Sequence, residues 1–67
     1  MFLRIDRSLE FVRLNPEIGP LRDLGYRRKL VPGTFLAIYY QVHGERVMVA
    51  AILDQRIDPE TIRRRLE

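Results

Sequence analysis

The sequence predicts an α+β fold, with an N-terminal amphipathic helix packed on a three-stranded antiparallel sheet and a short C-terminal helix. Two observations indicate this class. Apolar residues at helical spacing open the chain, and two segments rich in aromatic and β-branched residues flank a glycine further on. At 67 residues the chain has room for a single small domain, residues 1–67. Without cysteine it has no disulfide to stabilise it.

The first helix is predicted over residues 2–14. One face is apolar and the other is charged, the pattern of a helix that covers a core. The helix is expected to end at Asn15-Pro16, because proline pushes the preceding residue out of the helical conformation. Residues 15–25 hold two prolines and two glycines, so they are predicted to form a connection. The apolar stripe comprises Phe2, Ile5, Leu9 and Val12.

Three strands are predicted after this connection. The first is short and basic and precedes Pro32-Gly33, a turn signal, so we expect it at an edge of the sheet. The other two form a hairpin around His43-Gly44, because a two-residue turn requires positive φ and glycine adopts it freely. The predicted strands are residues 26–31, 35–42 and 46–53.

The hairpin register follows from the predicted turn. With Val42 and Glu45 flanking it, Tyr40 would pair with Val47, and one apolar face would lie on the core. The opposite face is too apolar to be left in water, so another part of the protein is expected to cover some of it. The predicted core face comprises Leu36, Ile38, Tyr40, Val42, Val47, Val49, Ala51 and Leu53.

A last helix is predicted over residues 59–66. Asp58 is the expected N-cap, Pro59 the first helical residue and Glu60 an acidic residue in the first turn. The carboxyl end is basic, which suits the helix dipole. Its three basic residues are Arg63, Arg64 and Arg65.

The net charge of +3 is concentrated in the first half of the chain. Residues 1–33 hold seven of the twelve basic residues and four of the nine acidic ones, and the rest of the chain is balanced. The excess centres on Arg27-Arg28-Lys29. The lack of cysteine, of a signal segment and of a long apolar run predicts a cytoplasmic protein with no membrane partner.

Several segments, in this order, resemble the RelE/ParE superfamily of toxins from bacterial type II toxin-antitoxin modules. They are NPEIGP, YRRKLVPG, IYYQVHGERVMVAAILDQRIDPE and, more loosely, the helix before them. Members of this superfamily usually carry a further N-terminal strand and helix. The resemblance therefore implies a chain truncated at its N-terminus, whose bared strand edge and helix flank favour self-association.

The resemblance is closer to the ParE branch, which implies a toxin that acts by protein binding. Such a toxin would arrest growth, with DNA gyrase as its candidate target, and an antitoxin would neutralise it. An acidic antitoxin segment is expected on basic and apolar surface. The residues predicted for this contact are Arg27, Arg28, Lys29, Phe35, Tyr39 and Met48.

A RelE-like, ribosome-dependent mRNA endoribonuclease is the first alternative. In that branch cations stabilise the charge that develops at the scissile phosphate, and neither metal nor cofactor is needed. Arg28, Lys29 and Arg56 match its basic positions, with Lys29 as the candidate proton acceptor. The branch's arginine, tyrosine and histidine are replaced here by Ala37, Ile62 and Asp54, which weakens the hypothesis.

A non-toxic remnant that survives as a dimerising binding module is the second alternative. Such a chain would keep the fold and the exposed apolar surface but would have lost toxicity with its N-terminal hairpin.

Overall fold

The computed structural model describes residues 2–67, apart from the side chains of Phe2, Leu3 and Asp23. Phe2, the first residue of the predicted apolar stripe, therefore has a side chain outside the described part. The fold is α+β, as the sequence predicts, with an antiparallel sheet of order β1-β2-β3. The elements are α1 (Phe2–Leu14), β1 (Arg27–Leu30), β2 (Leu36–His43), β3 (Arg46–Asp54) and α2 (Pro59–Leu66).

The end of α1 and the start of α2 lie where local signals place them. α1 ends at Leu14, immediately before Asn15-Pro16. At α2 the Asp58 carboxylate accepts hydrogen bonds from the backbone amides of Glu60 and Thr61, at 3.1 and 3.3 Å. Asp58 is thus the N-cap and Pro59 the first helical residue, which confirms the predicted start of α2.

The hairpin turn lies one residue further along the chain than predicted. His43 pairs with Arg46, so the turn residues are Gly44 and Glu45 rather than His43 and Gly44. Gly44 has φ of +63° and no positive φ occurs at Glu45, the pattern of a type II′ turn with glycine first. The predicted pairing of Tyr40 with Val47 is therefore wrong.

A β-bulge changes the register again in the middle of the hairpin. Tyr40 pairs with Val49 and Tyr39 with Ala51, so Ala50 has no partner on β2. The extra residue reverses which face each later residue of β3 occupies. Val47 belongs to one side of the sheet, whereas Ala51 and Leu53 belong to the other, so the single predicted core face is wrong.

Each face of β2 is covered by a different helix. Ile38 and Tyr40 lie with Val12 of α1 in one buried cluster. Ala37 and Tyr39 lie with Leu66 of α2 in a second one. The second face is thus covered in part, as its apolar character predicted: α2 covers Ala37 and Tyr39, whereas Met48 is 52% exposed.

The connection between α1 and β1 is anchored to the sheet by polar contacts. The buried Tyr40 hydroxyl donates to the Pro16 carbonyl at 2.9 Å and accepts from the Gly19 amide at 3.1 Å. The Arg27 guanidinium donates to the Gly19 carbonyl at 2.9 Å. Along the outer edge of β1, the Arg28 amide donates to the Pro20 carbonyl at 3.2 Å. The connection therefore closes one edge of the sheet.

Within residues 2–67 neither helix combines the length and the apolar character that crossing a bilayer requires.

Candidate functional site

An arginine-lined cleft opens on the α2 side of the sheet. It has a volume of about 320 Å³ and is bounded by α2, by the end of β3 and by β1. We call it the arginine cleft. Its polar lining residues include Arg22, Arg28, Tyr39, Gln55, Arg56 and Arg63.

Arg28 is held in the cleft by a short chain of neutral hydrogen bonds. Its guanidinium donates to Oε1 of Gln55 at 2.8 Å. The Gln55 amide in turn donates to the Tyr39 hydroxyl at 3.0 Å. Because neither partner carries a negative charge, the positive charge of Arg28 is positioned but not neutralised.

Arg56 lies at the mouth of the cleft in an ion pair. Its Nη2 atom is 2.7 Å from Oδ2 of Asp54, and its backbone amide donates to Oδ1 at 2.8 Å. The guanidinium also lies over the Phe35 ring, 4.3 Å from the centroid. The side-chain and backbone hydrogen bonds from Arg56 lower the pKa of the Asp54 carboxyl to about 2.

This ion pair predicts a specific acid titration. In an NMR titration the Asp54 carboxyl should have a pKa of about 2, and in Arg56→Gln that pKa should rise. The pKa of Asp54 is lower in the folded state than in the unfolded state. The carboxylate therefore adds to the free energy of unfolding above its usual pKa of about 4, and this contribution is lost as the pH falls towards the folded-state pKa. Arg46→Gln, at the other end of β3, is the control. An Asp54 pKa that is the same in Arg56→Gln and in the parent would contradict the pair.

The arginine cleft can hold an anion but lacks a group suited to proton transfer near neutral pH. Among the described residues that line it there is no histidine or lysine. Asp58 is a carboxylate, but hydrogen bonds from the Thr61 hydroxyl and the Glu60 amide lower the pKa of Asp58. A carboxylate with a lowered pKa is a weak general base. The chemistry available is electrostatic binding of phosphate or carboxylate.

Lys29 lies on the opposite face of the sheet from the other two proposed catalytic residues. Arg28 pairs with Tyr39 and Lys29 with Ile38, and these partners belong to the clusters under α2 and α1 respectively. The Lys29 ammonium lies 5.5 Å from the centroid of Phe11 on α1. The structure thus brings Arg28 and Arg56 to one cleft and places the candidate proton acceptor elsewhere.

The predicted antitoxin-contact residues do not form one surface. Arg27 and Lys29 lie on the α1 face and Arg28 on the α2 face. Tyr39, which we expected to be accessible, is only 4% exposed because α2 covers it. Of the apolar members, Phe35 and Met48 are exposed, at 60% and 52%.

Of the six polar lining residues named above, Arg22, Gln55 and Arg63 were not among the predicted site residues. Arg63 follows Pro59 and Ile62 at intervals that place all three on one side of α2, and this spacing is a signal visible in the sequence. Gln55 and Arg22 give no such signal. Their positions depend on how the chain leaves β3 and enters β1.

Comparison with known proteins found no relative of this chain. No protein-family model matches the chain. Searches of the curated proteins and of the solved structures likewise gave no match.

Proposed function

We propose that this chain is the toxin-family subunit of a bacterial type II toxin-antitoxin module. It acts in the cytoplasm by binding a protein target, as in the ParE branch, and an antitoxin neutralises it. The order of the segments quoted above, from NPEIGP to the basic C-terminal helix, supports the family. The observation that most favours binding over catalysis is the separation of Lys29 from Arg28 and Arg56 across the sheet.

That separation bears directly on mechanism. Cleavage of RNA without a metal requires proton transfer as well as charge stabilisation. Arg28 and Arg56 supply fixed positive charge, but arginine stays protonated and does not act as a base. A binding protein needs only the fixed charge and the exposed apolar surface around it.

The ribonuclease remains the second candidate, because one observation favours it. Arg28 and Arg56, two of the three residues proposed for catalysis, line the same cleft together with Arg22 and Arg63. Four arginines in one cleft of this size can bind a phosphodiester backbone, with Arg22 and Arg28 beside two that form ion pairs, Arg56 with Asp54 and Arg63 with Glu60. For this candidate a proton acceptor would come from the ribosome or from the RNA itself.

Induced expression in a bacterial host distinguishes these functions. The proposal predicts growth arrest with filamentous cells and DNA damage, and no cleavage of mRNA when primer extension is used to map the transcripts. The test variant is the double substitution Arg28→Ala/Arg56→Ala. Its control is the double substitution Arg64→Ala/Arg65→Ala, which also removes two positive charges, but from the exposed side of α2.

Two outcomes would contradict the proposal. Messenger cleavage that precedes growth arrest, and that disappears in Arg28→Ala/Arg56→Ala only, would establish the ribonuclease. Normal growth at high levels of soluble, folded protein would contradict toxicity and favour a non-toxic binding module. Light scattering on the same preparation measures self-association, which is expected both of a toxin that acts by binding and of a non-toxic binding module.

A further inference from the structure

We propose that a groove between α1 and β1, on the face away from the arginine cleft, binds an acidic peptide segment of a partner protein. We call it the α1 groove. Identifying that partner as an antitoxin rests on the proposed function, whereas the preference for an acidic segment does not. The groove has a volume of about 560 Å³, and the lining residues used below are Arg4, Arg7, Phe11, Lys29 and Pro32.

The α1 side of the groove is one face of the helix. Arg4, Arg7 and Phe11 are spaced by three and four residues, so their side chains follow one another along α1. Lys29 projects from β1 towards the same space, with its ammonium 5.5 Å from the centroid of Phe11. Three cations from two elements therefore line the same groove as one exposed aromatic ring.

Two of these cations are oriented by neutral groups. An Arg4 Nη1 atom donates to the Gly33 carbonyl at 3.0 Å, and the Lys29 ammonium donates to the Leu30 carbonyl at 2.9 Å. Carbonyl oxygens hold the side chains in place without cancelling their charge. No described residue that lines the groove is acidic. Glu10, three residues after Arg7, does not line the groove and is paired with Arg13.

The apolar part of the groove sets a second requirement on the occupant. Phe11 is 46% exposed although it is a large apolar side chain, and Pro32 adds a second apolar residue to the lining. Exposed apolar surface ringed by polar groups is typical of an interaction site. An occupant that carries carboxylates for the cations and an apolar side chain for Phe11 satisfies both parts.

A peptide fits these features better than a nucleic acid. The Lys29 ammonium lies over one face of the Phe11 ring, so less of the ring is open to stacking with a base. Carboxylates can reach Arg4 and Arg7 as forked pairs while an aliphatic side chain contacts the edge of the ring. A single-stranded oligonucleotide is therefore the competitor that the experiment must exclude.

Fluorescence anisotropy with a labelled synthetic peptide tests the proposal. The probe repeats the unit Glu-Glu-Leu, and a second peptide repeats Gln-Gln-Leu. We expect the acidic peptide to bind at moderate salt and the neutral one not to bind. Arg4→Glu/Arg7→Glu should weaken binding by about tenfold or more, because attraction becomes repulsion at the groove. Arg64→Glu/Arg65→Glu makes the same change of net charge on α2 and should weaken it by less than about twofold.

Folding is controlled separately from binding. Because Arg4 also contacts Gly33, the single variant Arg7→Glu is measured beside the double one, and circular dichroism of both variants is compared with the parent. Arg7→Glu alone should still weaken binding of the acidic peptide severalfold.

Three results would overturn the proposal. One is that the acidic peptide fails to bind the folded protein. Another is that both double variants lose affinity equally, which would mean non-specific attraction. The third is that a labelled single-stranded DNA oligonucleotide binds as tightly and is lost with Arg7→Glu, which would make the groove a nucleic-acid site. None of these results depends on whether expression arrests growth, so the proposed function is judged independently.

Discussion

Tyr40→Ala is expected to leave most of the protein unfolded at room temperature. Tyr40 is fully buried in the cluster beneath α1. Loss of a large buried aromatic side chain costs about 3–5 kcal/mol. In a chain of 67 residues a single core rarely contributes more than about 3–5 kcal/mol, so the loss is comparable with the whole free energy of unfolding. Urea denaturation followed by circular dichroism measures it.

Tyr40→Phe separates the contribution of the hydroxyl from that of the ring. The hydroxyl joins the Pro16 carbonyl and the Gly19 amide, and its removal leaves both groups unpaired, at a cost of about 1–3 kcal/mol. Hydrogen exchange at the Gly19 amide should accelerate. Tyr26→Phe, which removes a hydrogen bond from a half-buried side chain to the Leu66 carbonyl, is the milder control. Unchanged stability in Tyr40→Phe would mean that the hydroxyl does not anchor the connection.

Leu66→Ala is the second substitution with a large expected effect. Leu66 is the buried side chain of α2 and lies in the cluster with Ala37, Tyr39 and Leu53. Its truncation should lower the free energy of unfolding by about 2–5 kcal/mol and increase the exposure of Tyr39. Thermal unfolding followed by near-ultraviolet circular dichroism reports both changes.

The neighbouring residue provides a matched control for Leu66. Arg65 is exposed on the same turn of α2, and Arg65→Ala should change the stability by no more than about 0.5 kcal/mol. Equal losses in the two variants would mean that α2 is not docked on the sheet through Leu66. The arginine cleft, which α2 helps to form, would then lack one of its walls.

The helix boundaries were predictable because they depend on residues adjacent in the chain. Proline at position 16 ends α1 whatever α1 packs against. Asp58 caps α2 through amides two and three residues later, so the contact is complete within one turn. The fold class follows from the same kind of local periodicity, and the structure confirms it.

The hairpin register was not predictable from local signals. Gly44 is compatible both with the second position of a His43-Gly44 turn and with the first position of a Gly44-Glu45 turn. The choice depends on which pairing buries more apolar surface, and the bulge at Ala50 changes that pairing midway along β3. The bulge lets β3 contribute Val47 to the α1 side and Leu53 to the α2 side, an arrangement that requires both helices to be in place.

The candidate site was predictable only in part. Alternation along a strand by itself puts neighbouring residues on opposite faces, so the separation of Arg28 from Lys29 is implicit in their numbering. The partner of Arg28 in the cleft is Gln55, which lies 27 residues away along the chain. Such a contact depends on the twist of the sheet and on the path of the chain after β3, which no local pattern specifies.

A nuclear Overhauser measurement on the labelled protein tests the central claim, that the two faces of β2 lie under different helices. The structure predicts contacts from the Tyr40 ring to the methyl groups of Val12 and Ile38, and from the Tyr39 ring to those of Leu53 and Leu66. Contacts from both tyrosine rings to the methyl groups of one helix, or none from Tyr39 to Leu66, would contradict the claim. The arginine cleft and the α1 groove, which α2 and α1 help to form, would then no longer lie on opposite faces of the sheet.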